Sequence, residues 1–477
     1  MAGGAQPGGG AWVSVAVGTG ERGEADERRV VVVGGGLAGI TAALDCARGG
    51  VKVTLLESRP RLGGAVYSVR RNGLDVDNGQ HVFLRCCTAY RELLAGLGAA
   101  DAVTLQPRLA IPVLAPGRPP VWLRRSNLPA PLHLARALLG YRFLGLGERL
   151  AAVRAMAALR RVDPDDASAD ARGFGDWLRD HGQSPAAIDR LWGLIVRPTL
   201  NLVPDDASLA QAAQVFQTGL LRDSSAGDIG WARVPLSEIH DVAARRALAA
   251  AGVEVRVQCR ASAIVSDPEG GFRITASAMA ALHADVVIVA VPHDRAARLV
   301  PETAEIAGRL ARLGSSPIVN LHIVYDRRVL ELPFAAGVET PVQYVFDRTA
   351  SSGAAVGQHL AVSLSAADAE SGMAIDELRE RFLPALAALL PGARGANVEQ
   401  FFVTREHAAT FRAAPGARAL RPGPRTRVPG LLLAGSWTDT GWPATMEGAV
   451  RSGHAAAREA LAALPARARP RTLAVAR

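Results

Sequence analysis

The chain has 477 residues, 49% of them hydrophobic, enough for roughly two to four domains with buried cores, which excludes a fibre and a disordered protein. Its formal charge of +9 is arginine's, since Lys52 is the only lysine; the arginines are dispersed and form no RNA- or DNA-binding module, so nucleic acid is not an expected partner. The four cysteines, Cys46, Cys86, Cys87 and Cys259, have neither disulfide-framework nor metal-ligand spacing, so no metal is expected and a reducing cytoplasm fits.

Residues 1–27 are rich in glycine and small residues and read as a disordered leader without a signal-peptide pattern. Within them, Gly18-Thr19-Gly20-Glu21-Arg22-Gly23 has the spacing of a dinucleotide-binding turn. Only Glu24 to Arg29 separate it from the next strand, too few residues for a helix, so it is rejected. Residues 30–57 read as a βαβ unit: the β-branched run Val30 to Val33, an Ala/Leu helix from Leu37 to Arg48 ended by Gly49-Gly50, and a second strand from Val51 to Leu56.

Residues 130–222 are helix-periodic, with breaks at Asp163 to Asp166 and Pro204 to Asp206. Strands are expected again at Val253 to Val257, Phe272 to Thr275 and Asp285 to Val291. A second sheet is expected from Ile318 to Val324, Gln343 to Phe346, His359 to Ser363 and Val398 to Thr404, with a helix over Asp376 to Leu390. A strand at Gly430 to Ala434 and a helix from Met446 to Leu464 close the order. No apolar stretch is long enough to span a bilayer.

In Gly34-x-Gly36-x-x-Gly39 the first glycine allows a tight turn, the second admits a pyrophosphate and the third lets helix and strand pack closely, while the amides at Leu37 and Ala38 open a helix that favours anions. Glu57 ends the second strand, where a carboxylate accepts hydrogen bonds from a ribose diol. The continuation Arg59-Pro60-Arg61-Leu62-Gly63-Gly64 adds a second glycine pair, which a nicotinamide dehydrogenase does not need, and Arg61 can meet the dinucleotide's charge.

The run from Val30 to Gly64 resembles the FAD fingerprint of the amine oxidase and phytoene desaturase superfamily. Leu74-Asp75-Val76-Asp77-Asn78-Gly79-Gln80-His81, Leu191-Trp192 through Thr199-Leu200-Asn201, and the segment from Leu433 to Gly453 are similar to its squalene-associated branch, the hydroxysqualene dehydroxylases. The resemblance covers most of residues 29–463. It implies an α/β fold: a Rossmann-like FAD-binding domain of the GR2 type, built from 28–100, 230–300 and 425–464. This domain is interleaved with a mixed α+β substrate domain, 101–229 and 301–424, that contains the helical region; a basic tail, 465–477, follows. The tail reads either as solvated or as a contact for anionic phospholipid.

For FAD, the resemblance adds Gly79, Ala261 beside the adenine, Gly435 and Ser436, and the amides of Thr445 and Met446 facing the flavin. There are two departures: Ser436 stands where relatives carry an acid, and Ala65 where many carry an arginine. The superfamily's amine oxidases place a lysine near the flavin, and Lys52 opens the second strand on the wrong side. The substrate region also lacks a visible concentration of aromatics; Ile188, Leu191, Trp192, Leu194 and Ile195 form either a core stripe or the wall of an isoprenoid tunnel.

The expected reaction is reductive removal of an allylic hydroxyl from hydroxysqualene, a long-chain isoprenoid substrate, with His81 and Asp439 as candidate acids. The electron donor is unassigned. A carotenoid-type desaturase is the alternative, and a non-catalytic lipid-binding flavoprotein the remote one.

Overall fold

The computed structural model describes residues 28–277, 279–300 and 304–464; the leader with its Gly18 to Gly23 spacing and the tail at 465–477 lie outside the described residues. Five parallel strands form one sheet in the order Glu254–Arg256, Lys52–Leu56, Arg29–Val33, Val286–Val289 and Leu431–Leu433. Val30 to Val33 and Val286 to Val289 are buried throughout, as β-branched runs covered on both faces must be. Helix Leu37–Arg48 crosses from the first strand to the second and buries Leu37 to Leu44. The helix Met446–Ala463 lies against it so closely that a Cβ on Gly453 would stand 2.4 Å from the Ala38 carbonyl oxygen. A small antiparallel sheet, Ala261–Ser266, Phe272–Ala276 and Leu282–Ala284, is inserted before Val286–Val289.

The second sheet has seven strands in the order Val398–Phe411, Ser315–Tyr325, Gln358–Ser365, Tyr344–Asp347, Phe334–Gly337, Ala110–Ala115 and Arg118–Arg124. Helix Ile375–Leu389 covers one face, burying Leu378, Phe382 and Leu386 completely against strand residues such as Val319 and Leu321. Each such side chain contributes about 1.5–3 kcal/mol. The last two strands escape the sequence reading because Pro112, Pro119 and Pro120 interrupt them; Arg118–Arg124 is an edge strand, where proline's missing N–H is tolerated.

The helical region breaks where Asp163 to Asp166 and Pro204 to Asp206 predict. Its centre is Trp192, fully buried between Phe174 and Phe216 at ring separations of 5.8 and 5.1 Å, with its indole N–H donating to Gln183 Oε1 at 2.8 Å. Asn201, in the left-handed conformation at φ +54°, joins this region to the second sheet. Its amide donates to the Ser316 carbonyl at 3.0 Å, and its oxygen accepts from the Ala366 N–H at 2.7 Å.

Candidate active site

Strand Arg29–Val33 turns at Gly34, φ +112°, where a Cβ would lie 2.3 Å from the Ala290 oxygen; a Cβ on Gly39 would lie 1.9 Å from the Gly34 oxygen. Both positions demand glycine for packing alone. Gly36 differs. Its φ of −76° suits any residue, and a Cβ there would meet only the Gly64 Cα, at 3.7 Å. The space beside it is the room an approaching phosphate needs. Gly36 gives its helix no side-chain cap, so the first-turn amides of Leu37 and Ala38 remain available to an anion.

The second glycine pair is stitched to this turn. Gly63 donates its N–H to the Gly35 oxygen at 2.9 Å and bridges Gly36 in parallel. Glu57, 7% exposed, accepts from the Gly35 and Arg59 amides at 2.7 Å each. These bonds fix the carboxylate at the end of its strand and leave lone pairs for a diol. The Cys259 N–H donates to the Glu57 oxygen at 2.9 Å, which brings the segment entering Ala261 alongside. Arg61 lies 3.4 Å above the Tyr67 ring and donates to the Gly64 oxygen at 3.2 Å, so its charge is held against the glycine pair.

Asn78 organises the next segment. Its amide nitrogen donates to the Ala65 oxygen and to Glu406 Oε1, at 2.9 and 3.0 Å, which orients the side chain unambiguously. Asn78 Oδ1 therefore accepts from His81 Nε2 at 3.3 Å, and Nδ1 of that ring is left as an acceptor. Burial pushes the His81 imidazole down to about 4. At neutral pH this ring is uncharged and no ready proton donor. A Cβ on Gly79 would sit 3.3 Å from His81 Nε2. The Asn78 carbonyl accepts from Asn320 and Thr404 at 3.1 and 3.2 Å, and behind Thr404 the buried pair His322 and His359 meet at 3.2 Å.

At the C-terminal motif, Gly435 donates its N–H to Ser452 Oγ at 2.8 Å. The Ser436 hydroxyl has no hydrogen-bond partner among the described residues. Buried Arg421, missed in the sequence, donates to the carbonyls of Ser436, Trp437, Thr438 and Trp442 at 3.3, 3.3, 2.5 and 2.7 Å and so shapes this loop. Asp439 accepts from the Gly441 N–H at 3.2 Å and stands 3.6 Å from Arg418. That is the geometry of a loop cap and offers no support for a proton donor. Thr445 caps the last helix, its Oγ1 accepting from Gly448 at 3.1 Å, with half-buried Met446 next to it. Glu447, also missed, is fully buried and caps a second helix, Thr88–Gly96, by accepting from the Ala89 and Tyr90 amides at 3.2 and 2.7 Å.

Gln80 and His81 line a cleft with Asp77, Arg348, Trp231 and Phe346. Asp77 and Arg348 form a buried ion pair at 2.5 Å. Gln80 Nε2 is buried without a hydrogen-bond partner among the described residues. The expectation of few aromatics is corrected here: Trp231, Phe334, Phe346 and Tyr344 form a chain with successive ring separations of 5.8, 5.8 and 6.2 Å. Phe334, Phe346 and Tyr344 lie on one hairpin, and Trp231 joins them from a strand about a hundred positions earlier. Of the expected tunnel wall, Ile188, Leu191, Trp192 and Leu194 are core, and Ile195 is half-buried against it. Lys52 starts its strand at the end opposite Glu57, away from the glycine turns.

A dinucleotide fits this cradle: open space at Gly36, uncapped amides, an oriented carboxylate at Glu57 and the held cation of Arg61 follow one another along the ends of the parallel strands. The model of the flavin containing amine oxidoreductase family matches residues 37–461. The chain is 30% identical over 457 residues to a hydroxysqualene dehydroxylase of Rhodopseudomonas palustris, covering 91% of this chain and 99% of that protein. It is 26% identical over 477 residues to a zeta-carotene desaturase of Solanum lycopersicum, covering 90% and 80%. A solved structure of a putrescine oxidase with redesigned cofactor binding superimposes with a TM-score of 0.71 at 20% identity, covering 91% and 99%.

Proposed function

The chain belongs to the flavin containing amine oxidoreductase family, in the branch it shares with the hydroxysqualene dehydroxylases, and is an FAD-dependent oxidoreductase; on that premise we propose that it converts hydroxysqualene to squalene. The observation that carries this reading is Gln80 Nε2, a buried donor without a partner in a cleft walled by Trp231 and Phe346. A bound hydrocarbon would leave that buried N–H unsatisfied and forgo the roughly 1–3 kcal/mol that an acceptor restores. A hydroxylated isoprenoid gives it an acceptor.

FAD is held, on this reading, by Gly34, Gly36, Leu37, Ala38, Gly39, Glu57, Arg61, Gly63, Gly64, Gly79, Ala261, Gly435, Ser436, Thr445 and Met446, and in its reduced form it supplies a hydride. Fully reduced FAD would supply both a hydride and a proton, so that the allylic C–O bond would be replaced by C–H, the oxygen would depart as water and the flavin would be left oxidised. Gln80 donates a hydrogen bond to the departing oxygen. Neutral His81, held by Asn78, accepts from the substrate hydroxyl and orients it. Trp231 and Phe346, which line the cleft, would keep bulk water from the allylic carbon.

Reduced protein mixed anaerobically with hydroxysqualene is expected to reoxidise its flavin while squalene appears by mass spectrometry. No reoxidation with hydroxysqualene, together with flavin reduction when oxidised protein meets phytoene or zeta-carotene, overturns the reading in favour of a desaturase, the reaction named for the tomato relative.

A further inference from the structure

The helix Leu146–Leu159 is apolar on both sides. Ala151, Ala152, Ala155, Met156 and Leu159 face the core, whereas Leu146, Leu150 and Val153, at helical spacing, are 72, 56 and 42% exposed. The neighbouring turn and helix add Leu132 and Leu139, each 57% exposed. Arg149 ties the two helices together by donating to the Leu139 and Leu144 carbonyls at 2.6 and 2.8 Å. Of the twelve large hydrophobic side chains that are exposed among the described residues, six lie between Leu128 and Val153, so this is a patch rather than ordinary scatter.

Its charge is one-sided. Arg136, Arg142, Arg154, Arg160 and Arg161 are exposed and pair with no carboxylate among the described residues. Between Arg124 and Arg161 the only acid is Glu148, which accepts from the Gly145 N–H and the Ser184 hydroxyl; the acidic turn of Asp163 to Asp166 follows. A second copy placed symmetrically on this face would set arginine against arginine. No helix among the described residues is long and apolar enough to cross a membrane.

We propose that the face of Leu132, Leu139, Leu146, Leu150 and Val153, ringed by unpaired arginines, docks the protein on the surface of an anionic lipid bilayer. Leucines enter the acyl boundary while the guanidinium groups meet lipid phosphates. The proposal stands apart from the identity of the substrate.

The test is flotation of the full-length protein with vesicles of phosphatidylcholine, alone and mixed with phosphatidylglycerol. Flotation is expected with the mixed vesicles and weakens as salt is raised. Leu146→Glu and Leu150→Glu, at exposed positions, are each expected to lower the partition about tenfold or more, with melting temperature and FAD content unchanged. Wild-type protein that floats with neither vesicle, or a double variant that floats as well as wild type, overturns the proposal. Flotation lost only when residues 465–477 are removed assigns the contact to the tail and also overturns it. A dimer that forms through this face and ignores vesicles does the same.

Discussion

A Cβ built on Gly64 would lie 2.8 Å from the Gly36 Cα, whereas one built on Gly36 would meet that same residue only at 3.7 Å. The two glycines face each other, but only one of them is demanded by the packing of the protein itself. Gly36→Ala is therefore expected to leave the FAD-free fold intact, with a melting temperature within about 2 °C of wild type, while weakening FAD binding at least about tenfold, because the new methyl group occupies the pyrophosphate's approach. Gly39→Ala, with its contact of 1.9 Å, is expected to lose the fold itself. Titrating FAD into the stripped variants, beside a thermal melt, separates the two effects; equal loss of stability in both removes the distinction.

Glu447 supplies a second expectation. Its carboxylate caps helix Thr88–Gly96 and accepts from Arg451 at 2.7 Å. Glu447→Ala leaves two buried amides without acceptors and is expected to cost about 2–4 kcal/mol in urea unfolding. Glu447→Gln keeps one acceptor but turns an NH2 group toward a donor, so about half that loss is expected. An alanine variant as stable as wild type refutes the capping role.

The legible parts of this fold are the local ones. The glycine turn, the helix Leu37–Arg48 and the strand ending at Glu57 are set by residues within one βαβ unit, and the structure has them within a residue of the reading. Glu447 and Gln80 stood in plain sight inside recognised motifs, yet their roles depend on partners that sequence proximity cannot supply. Tyr90 is 357 positions from the carboxylate that caps its helix. The aromatic chain escaped for the same reason, because Trp231 and Phe334 meet only when separate strands pack. Arg421 gave no signal at all among so many arginines; only the four carbonyls it gathers reveal it.

Buried histidines, His240, His322 and His359 among them, make the fold less stable in acid. Burial holds His240 at about 3, helped by the nearby His81, and His359 at about 4, helped by Arg348. The unfolded chain, with ordinary values near 6.5, takes up these protons first. Stability from this source is thus complete above about pH 6.5 and falls as the pH drops toward 4, by up to about 1.4 kcal/mol per unit for each ring. Urea midpoints at pH 7.5, 6 and 5 are expected to decline in that order. Replacing His359 with Gln, which has no proton to take up here, is expected to flatten the slope, and an unchanged slope would refute its share.

Gln80 separates stability from chemistry. Its Nε2 is buried without a partner, so Gln80→Leu, similar in size, removes an unsatisfied donor and is expected to leave the protein as stable as wild type or about 1 kcal/mol more stable. If the amide holds the departing oxygen, the same change is expected to slow flavin reoxidation by hydroxysqualene about 100-fold, the effect of deleting one preorganised donor to developing negative charge. Because FAD is not expected to contact this amide, its affinity should not move. Gln80→Glu, which keeps the size but exchanges a donor for an acceptor at neutral pH, should be slow as well, and should recover as the pH is lowered and its carboxyl regains a proton. A leucine variant that reacts at the wild-type rate would show that the donor faces no substrate oxygen. A leucine variant that is slow but also strongly destabilised would show that Gln80 is part of the packing of the cleft rather than of its chemistry.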